Sequence, residues 1–503
     1  MKTLISILFI FSICLEAQSQ VYLRGTVERS SSPIDSFAVN IPKIYGFFKE
    51  NNHWIHIDKR NQFSDTINIE VEKFAKLEWG NRSYTLLLQP RTTIEFQIDS
   101  SSGKISFSKD STGLVNSVLA QLELDSIPVF NGIAGKEENE YSKLPVSQIN
   151  EKVVIPWLHH REKLKGFVEK SQLSDRFKQL FRSELTYYHH NQLNWYLRGV
   201  VRLNRKDLSN FLVAYTDSIS PEPETAIPGS QYYYFADNYI GYLEANSFLF
   251  YQSNKLSSKD PLPYYNFSID SGNNLVKTRG KAYMNWIAVR NNFKNAFGEA
   301  FLVQNIDRAI YDKDLKVISS LLPELQREYP LNSDLNTLTK RKDSLLALLE
   351  QQLKNDEIIV YDNYKSVKSI MDVVTQYKGK VVYLDIWGTW CGPCKEEFNY
   401  LPSLKQRFKG KDIVFLYLDM DDDDKDSEWR DFIFLHNLTG VHLRKNNQEI
   451  KSIWMELIPE QSEKRVLYPS YFLFDKEGKA VTTNVYRPSD KNLLYQQIEI
   501  LLQ

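Results

Sequence analysis

Between residues 20 and 112 the chain alternates apolar and polar positions in short runs rich in β-branched and aromatic residues. Phe63–Glu70, Phe74–Trp79, Tyr84–Leu88, Thr93–Ile98 and Lys104–Ser108 read as strands. Gly80-Asn81, Pro90 and Ser100–Gly103 punctuate them as turns. Several short strands at this spacing predict a small β-sandwich-like domain. From 113 to 355 the pattern becomes helical, as in Arg176–Val200, Lys281–Phe297, Leu315–Tyr329 and Leu335–Leu353. Pro330, Asn332 and Ser333 mark the turn between the last two, and Ser218–Ser230, with three prolines, reads as a loop. From 357 to 503 strands and helices alternate. Val381–Trp387 is almost wholly apolar, as expected of a strand covered on both faces, and Ile413–Asp419 is a second such run. Tyr471–Phe474 and Ala480–Val485 flank Lys476-Glu-Gly-Lys479, a hairpin turn. Helices fit at Ser366–Tyr377, Pro393–Phe408, Glu428–Asn437 and Ser489–Leu502, with Ser489 as an N-cap. The chain is therefore expected to be multidomain: a β-sandwich-like domain, a helical middle region and a C-terminal α/β domain.

The first nineteen residues stand apart. Lys2 precedes the apolar run Leu4–Leu15, too short to span a bilayer well, and Ala17 and Ser19 give a small-x-small cleavage pattern. Residues 1–19 thus read as an export signal cut after Ser19, placing the mature chain in the periplasm or cell envelope. Cys14 raises the alternative of a lipid anchor, although Ile13 before it is large and branched where that pattern wants a small residue.

Composition narrows the function. A charged fraction of 25% beside 42% apolar residues describes a globular chain. A formal net charge of −1 argues against nucleic acid or an anionic membrane surface as partner. His159-His160 and His189-His190 do not read as a metal site, because adjacent residues point to different helix faces and no acidic or thiol set completes them. Asp419–Asp424 reads as a solvated acidic loop.

Of three cysteines, export would remove Cys14 and leave Cys391 and Cys394. A bridge across so short a loop adds little stability, which makes the pair a poor staple and a good redox couple. The run Trp390-Cys-Gly-Pro-Cys394 follows a strand and opens a helix. There the free N–H groups and the positive end of the dipole favour an anion. The thiolate is the attacking species, so Cys391 is expected to be exposed, with a lowered pKa, and to act as nucleophile. Cys394, two residues further on and more buried, can resolve a mixed disulfide. Pro393 fits the first helical turn, where its missing N–H costs nothing. A zinc site would need two further ligands, and haem attachment would need His where Lys395 stands. No metal and no cofactor is expected.

Val382-Tyr-Leu-Asp-Ile-Trp-Gly-Thr-Trp-Cys-Gly-Pro-Cys-Lys395 resembles the thioredoxin superfamily, in particular its TlpA/ResA-like exported thiol–disulfide oxidoreductases. The segment Leu467-Tyr-Pro-Ser-Tyr-Phe-Leu-Phe-Asp475 is similar to the part of that fold that carries its cis-proline, here Pro469. The resemblance covers about the last 145 residues; the earlier domains loosely resemble the extensions found before such domains in Bacteroidetes-type proteins. It implies that Pro469 lies against the cysteines and keeps a backbone edge free for substrate. It implies that Asp385 is a buried carboxylate aiding proton movement at Cys394, and that Glu428–Val441 is an inserted helix and strand. Trp387 and Trp390 would shape the surface around the pair, with Gly392 and Pro393 beside the substrate. Gly-Pro between the cysteines is the pattern of thioredoxin, at about −270 mV, against about −120 mV for the oxidant DsbA, and so favours a reductant or isomerase. Expected partners are the disulfides or thiols of envelope proteins, with a membrane electron donor. The alternative is a scaffold protein whose redox pair only regulates docking.

Overall fold

The computed structural model describes residues 19–28, 35–132, 140–294, 296–458, 468–482 and 484–503. The expected signal through residue 18, its Cys14, and Leu467 lie outside the described residues. The described residues divide into two compact units, those up to 276 with those of 281–304, and 277–280 with those from 305 on.

The first unit opens with eight strands: β1 (Gln20–Glu28), β2 (Ser36–Asn40), β3 (Asn52–His56), β4 (Gln62–Asn68), β5 (Lys73–Trp79), β6 (Arg82–Leu88), β7 (Thr92–Asp99) and β8 (Lys104–Phe107). They form two four-stranded sheets, ordered β4-β1-β7-β8 and β3-β2-β5-β6. Alternation turns Val21, Leu23, Ile94, Phe96 and Ile98 of one sheet into the same core as Phe37, Val39, Leu77 and Leu86 of the other. Phe37 bridges the sheets, 5.1 Å from the Phe63 ring in an edge-on contact. Gly25 in β1 has a steric reason: a Cβ there would stand 1.7 Å from the Phe96 carbonyl oxygen.

The helices follow: α1 (Ser111–Gln121), α2 (Ile155–Lys170), α3 (Asp175–Trp195), α4 (Arg205–Thr216), α5 (Ser230–Asn254), α6 (Ile269–Arg279), α7 (Lys281–Asn292), α8 (Ala296–Tyr311), α9 (Leu315–Glu328) and α10 (Leu335–Gln352). The single helix expected over 281–297 is two, with Phe293 and Lys294 between α7 and α8. His160 Nδ1 and His189 Nε2 meet 3.1 Å apart across α2 and α3. Burial drives His189 down to about 3, so its ring is neutral near pH 7. In the first unit Tyr45 donates its hydroxyl to Asp237 at 3.0 Å, and burial raises Asp237 to about 7.

In the second unit, α9 and α10 lie with the C-terminal fold. Lys316 of α9 pairs with Glu428 at 2.5 Å, and Lys313 Nζ donates to the Leu435 carbonyl at 2.6 Å. A six-stranded sheet follows, in the order β14-β13-β10-β11-β12-β9. Its strands are β9 (Ile358–Val360), β10 (Val381–Trp387), β11 (Ile413–Asp419), β12 (Gly440–Arg444), β13 (Ser470–Phe474) and β14 (Ala480–Thr482). All seven residues of β10 are buried, as its apolar run predicts. β10 pairs parallel with β11 and antiparallel with β13, so that Asp385 stands opposite Tyr417 on one side and Tyr471 on the other.

The helices that follow α10 in this unit are α11 (Met371–Val374), α12 (Gly392–Phe398), α13 (Leu401–Arg407), α14 (Asp426–Leu435), α15 (Ile450–Leu457) and α16 (Asn492–Leu502). The helix expected over 393–408 breaks after Phe398, because Pro402 in the first turn of α13 has no N–H to continue the ladder. Ser366–Tyr377 is likewise interrupted, with only Met371–Val374 in α-helix between 3₁₀ turns. Ser489 does not cap the last helix: Pro488–Asp490 is a separate 3₁₀ turn and α16 starts at Asn492. Trp387 is fully buried between Phe398 and Phe432, at 5.0 and 5.2 Å, and so belongs to the core rather than to the surface around the cysteines.

Candidate active site

Strand β10 ends at Trp387, and the turn Gly388–Trp390 delivers the chain to Cys391. The Cys391 amide donates to the Gly388 carbonyl at 2.9 Å and closes that turn. Cys391 is the N-cap of α12, with extended backbone (φ −83°, ψ 99°), and Gly392 and Pro393 form the first helical positions. The Cys391 sulfur accepts from the Cys394 amide at 3.2 Å. A helix-start N–H therefore points at the sulfur that would carry charge as a thiolate.

Cys391 and Cys394 are joined in a disulfide, with their Cα atoms 5.3 Å apart. Cys394 is fully buried, and Cys391 is only 3% exposed. The exposure expected of Cys391 is therefore absent in the oxidised state. The exposed neighbour is Trp390, at 57%. Its ring meets Tyr468 edge-on at 5.6 Å, and Tyr468 in turn lies 6.0 Å from Trp454.

The Tyr468–Pro469 bond is cis, and Pro469 is buried. Ser470, the next residue, pairs with Ile386 at the end of β10. The antiparallel register thus brings the Pro469 segment to the strand end from which the cysteine turn departs.

Asp385 is 1% exposed, and neither carboxylate oxygen has a hydrogen-bond partner among the described residues. Burial raises its pKa well above the ordinary carboxylate range, and the charge of Glu397 pushes the same way while Lys405 opposes. Lys405 of α13 is held down to about 7 by burial, with Asp385 pulling it back up. Its ammonium donates to the carbonyl and hydroxyl of Thr439.

Glu397 was not singled out by the sequence. It lies three residues after Cys394, on the buried side of α12, and accepts from both the amide and the hydroxyl of Ser489 at 2.9 Å. Its spacing from Cys394, one helical turn, was the available signal. Of the acidic run, Asp422–Asp424 are exposed as expected, and the first two aspartates are not. Asp419 and Asp421 are 0% and 2% exposed, because Arg444 and Thr389 take up their charge and lone pairs.

Residues 371–497 match the redoxin family model. Among curated relatives, the thiol-disulfide oxidoreductase ResA of Bacillus thuringiensis subsp. konkukian (strain 97-27) is 34% identical over 106 residues, 21% of this chain and 54% of that protein. ResA of Bacillus subtilis (strain 168) is 45% identical over 40 residues, 8% of this chain and 22% of that protein. The chain thus spans about half the length of the first curated relatives it matches. A crystal structure of the thioredoxin domain of a thiol-disulfide oxidoreductase from Bacteroides vulgatus is 25% identical, covering 25% of this chain and 83% of that one, with a TM-score of 0.21. Among the described residues no helix is long and apolar enough to cross a membrane. Residues 371–497 thus carry a redoxin family-model domain, within a C-terminal α/β domain that is similar to the ResA thiol-disulfide oxidoreductases.

Proposed function

We propose that the chain is an exported thiol–disulfide oxidoreductase that reduces or isomerises disulfides of envelope proteins. The observation that carries this reading is the Cys391–Cys394 disulfide at the start of α12, beside the cis-Pro469 segment. In the reduced protein the Cys391 thiolate attacks one sulfur of a substrate disulfide. The substrate S–S bond breaks, a mixed disulfide forms, and the first substrate sulfur leaves as thiolate. Cys394 then attacks the Cys391 sulfur, and the second substrate sulfur leaves. Two electrons have passed to the substrate, and the Cys391–Cys394 disulfide remains. Asp385, when ionised, takes the proton that Cys394 sheds, and burial raises its affinity for that proton. Trp390, Gly392, Pro393 and Pro469 frame the substrate chain. A dithiol donor in the membrane returns the electrons.

Reduced full-length chain should turn over insulin disulfides with dithiothreitol as electron source, and Cys391→Ser should abolish that turnover. Wild-type chain without turnover would remove the reading. A reporter fused to residues 1–19 should be exported, with cleavage after Ser19; acylated Cys14 found by mass spectrometry would replace the free envelope protein with an anchored one.

A further inference from the structure

The turn that presents Cys391 is tied down from outside β10. The Thr389 amide donates to Asp421 Oδ1 at 3.2 Å, and the Thr389 hydroxyl donates to Asp421 Oδ2. Both hydrogen-bond donors of Thr389, two residues before the nucleophile, thus end on one buried carboxylate. A Cβ added to Gly388 would lie 2.7 Å from Trp390 Nε1 and 3.1 Å from Asp421 Oδ1, so indole and carboxylate close on the same backbone point.

Asp421 is itself held. The Arg444 guanidinium, at the end of β12, donates to the carbonyls of Asp421 and Asp422 at 2.9 and 2.5 Å. The Asp421 amide donates to Asp419 Oδ2 at 3.2 Å, and the Arg444 Nε lies 3.6 Å from that same oxygen. Arg444 is 4% exposed. A continuous polar chain therefore runs Arg444–Asp419–Asp421–Thr389 through the interior and stops at the cysteine turn. Burying two carboxyls beside a guanidinium is costly, and burial raises the pKa of both Asp419 and Asp421. A solvated acidic loop needs no such construction.

We infer that Asp421 is a positioning residue for the thiol–disulfide exchange, fixing the Gly388–Trp390 turn, and with it the Trp390 ring and Cys391, through the Thr389 amide and hydroxyl. This inference rests on the reading of Cys391 and Cys394 given above. Asp421 acts on the reaction through Thr389, and Arg444 and Asp419 act through Asp421. Charge-assisted bonds to a buried carboxylate are the strong kind, which suits a turn that carries an exposed tryptophan. Misplacement by 1 Å can cost a reaction about 100-fold, so partial loosening is expected to cost about tenfold.

The test uses the reduced full-length chain as wild type, D421A, D421N, T389V and D421A/T389V. Insulin reduction and the rate of Cys391 alkylation by iodoacetamide are measured for each. D421A should lower kcat/KM for insulin about tenfold and T389V by threefold or more, and the double variant should fall no further than D421A alone. D421N should stay within about threefold of wild type. Its Oδ1 accepts from the Thr389 amide and its Nδ2 donates to the Thr389 oxygen. A merely structural role predicts no such rescue and losses that multiply. Wild-type kcat/KM in T389V, a roughly hundredfold loss in the double variant, or D421N as poor as D421A would each overturn the inference. If D421A fails to fold, T389V, which leaves the Asp421–Arg444 bonds intact, decides the matter by the same criterion. If the wild type does not reduce insulin, the proposed function fails on its own. The anchor is then read from alkylation, where T389V must differ from wild type by threefold or more, with D421N unchanged. Equal alkylation rates in wild type and T389V would overturn it.

Discussion

Replacing Asp385 by Asn should stabilise the C-terminal domain, and the gain should grow with pH. The carboxyl is 1% exposed, and both its oxygens lack a hydrogen-bond partner among the described residues. Burial, reinforced by Glu397, raises its folded pKa well above the value it has in the unfolded chain, about 3.9. A group shifted in this direction weakens the fold as pH climbs from its unfolded value toward its folded one. Each pH unit in that window is worth about 1.4 kcal/mol. The destabilisation is therefore absent at pH 3, at most about 1–2 kcal/mol at pH 5, and at most about 4 kcal/mol at pH 7. Asparagine removes the titration and keeps the shape, though Lys405 then loses an attractive charge, so the observed gain falls below that ceiling. The assay is native-state hydrogen exchange of the β10 peptide in the oxidised full-length chain, wild type against D385N, at pH 5 and pH 7. An added protection of about 1 kcal/mol at pH 5 and 2–4 kcal/mol at pH 7 is expected. A gain equal at both pH values, or a loss, would refute the argument from burial. The same variant should slow the resolving step of insulin reduction, since the proton acceptor is gone.

Other outcomes follow from single contacts. Glu397→Gln should lower the titration point of Asp385, because the charge that helps to raise it is removed, and carboxyl NMR would read the shift. Gly25→Ala should destabilise the sandwich by roughly 3 kcal/mol in denaturant unfolding, since the added methyl meets the Phe96 carbonyl oxygen at 1.7 Å. Tyr45→Phe should cost about 1–2 kcal/mol, with the deficit widening as pH rises through 7. There Asp237 ionises with Tyr45 as its hydrogen-bond donor, and that donor is lost in the variant.

The parts of the molecule legible in the sequence are those where local pattern decides. The apolar run Val381–Trp387 is the central strand, and Cys391 caps a helix as its place before Gly392-Pro393 predicts. The Tyr468–Pro469 bond is cis, as the resemblance implies. Strands β1, β2, β3 and β9 were not read, nor was α15; β9 has three residues, too few for any period to register. What failed at the site has one cause. Asp419 and Asp421 look solvated in a run of aspartates, and only the return of the chain at β12, bringing Arg444, makes their burial possible. Ser489 carries an N-cap's chemistry, and spends it on Glu397, nearly a hundred residues away in the chain. Trp387 sits beside the motif in sequence, yet strand alternation turns it into the core, where only the fold shows Phe398 and Phe432 waiting. Local chemistry was visible; the partners that bury and charge it are set by tertiary return.

The account stands on Cys391 attacking and Cys394 resolving, and the trapped intermediate tests this most directly. Reduced C394A and reduced C391A, each as full-length chain, are mixed with a peptide disulfide, quenched in acid and weighed by mass spectrometry. The account predicts that C394A accumulates one mixed disulfide, mapped to Cys391, while C391A stays free over the same interval. A mixed disulfide on Cys394 in C391A at an equal or faster rate, or none in C394A, would contradict it.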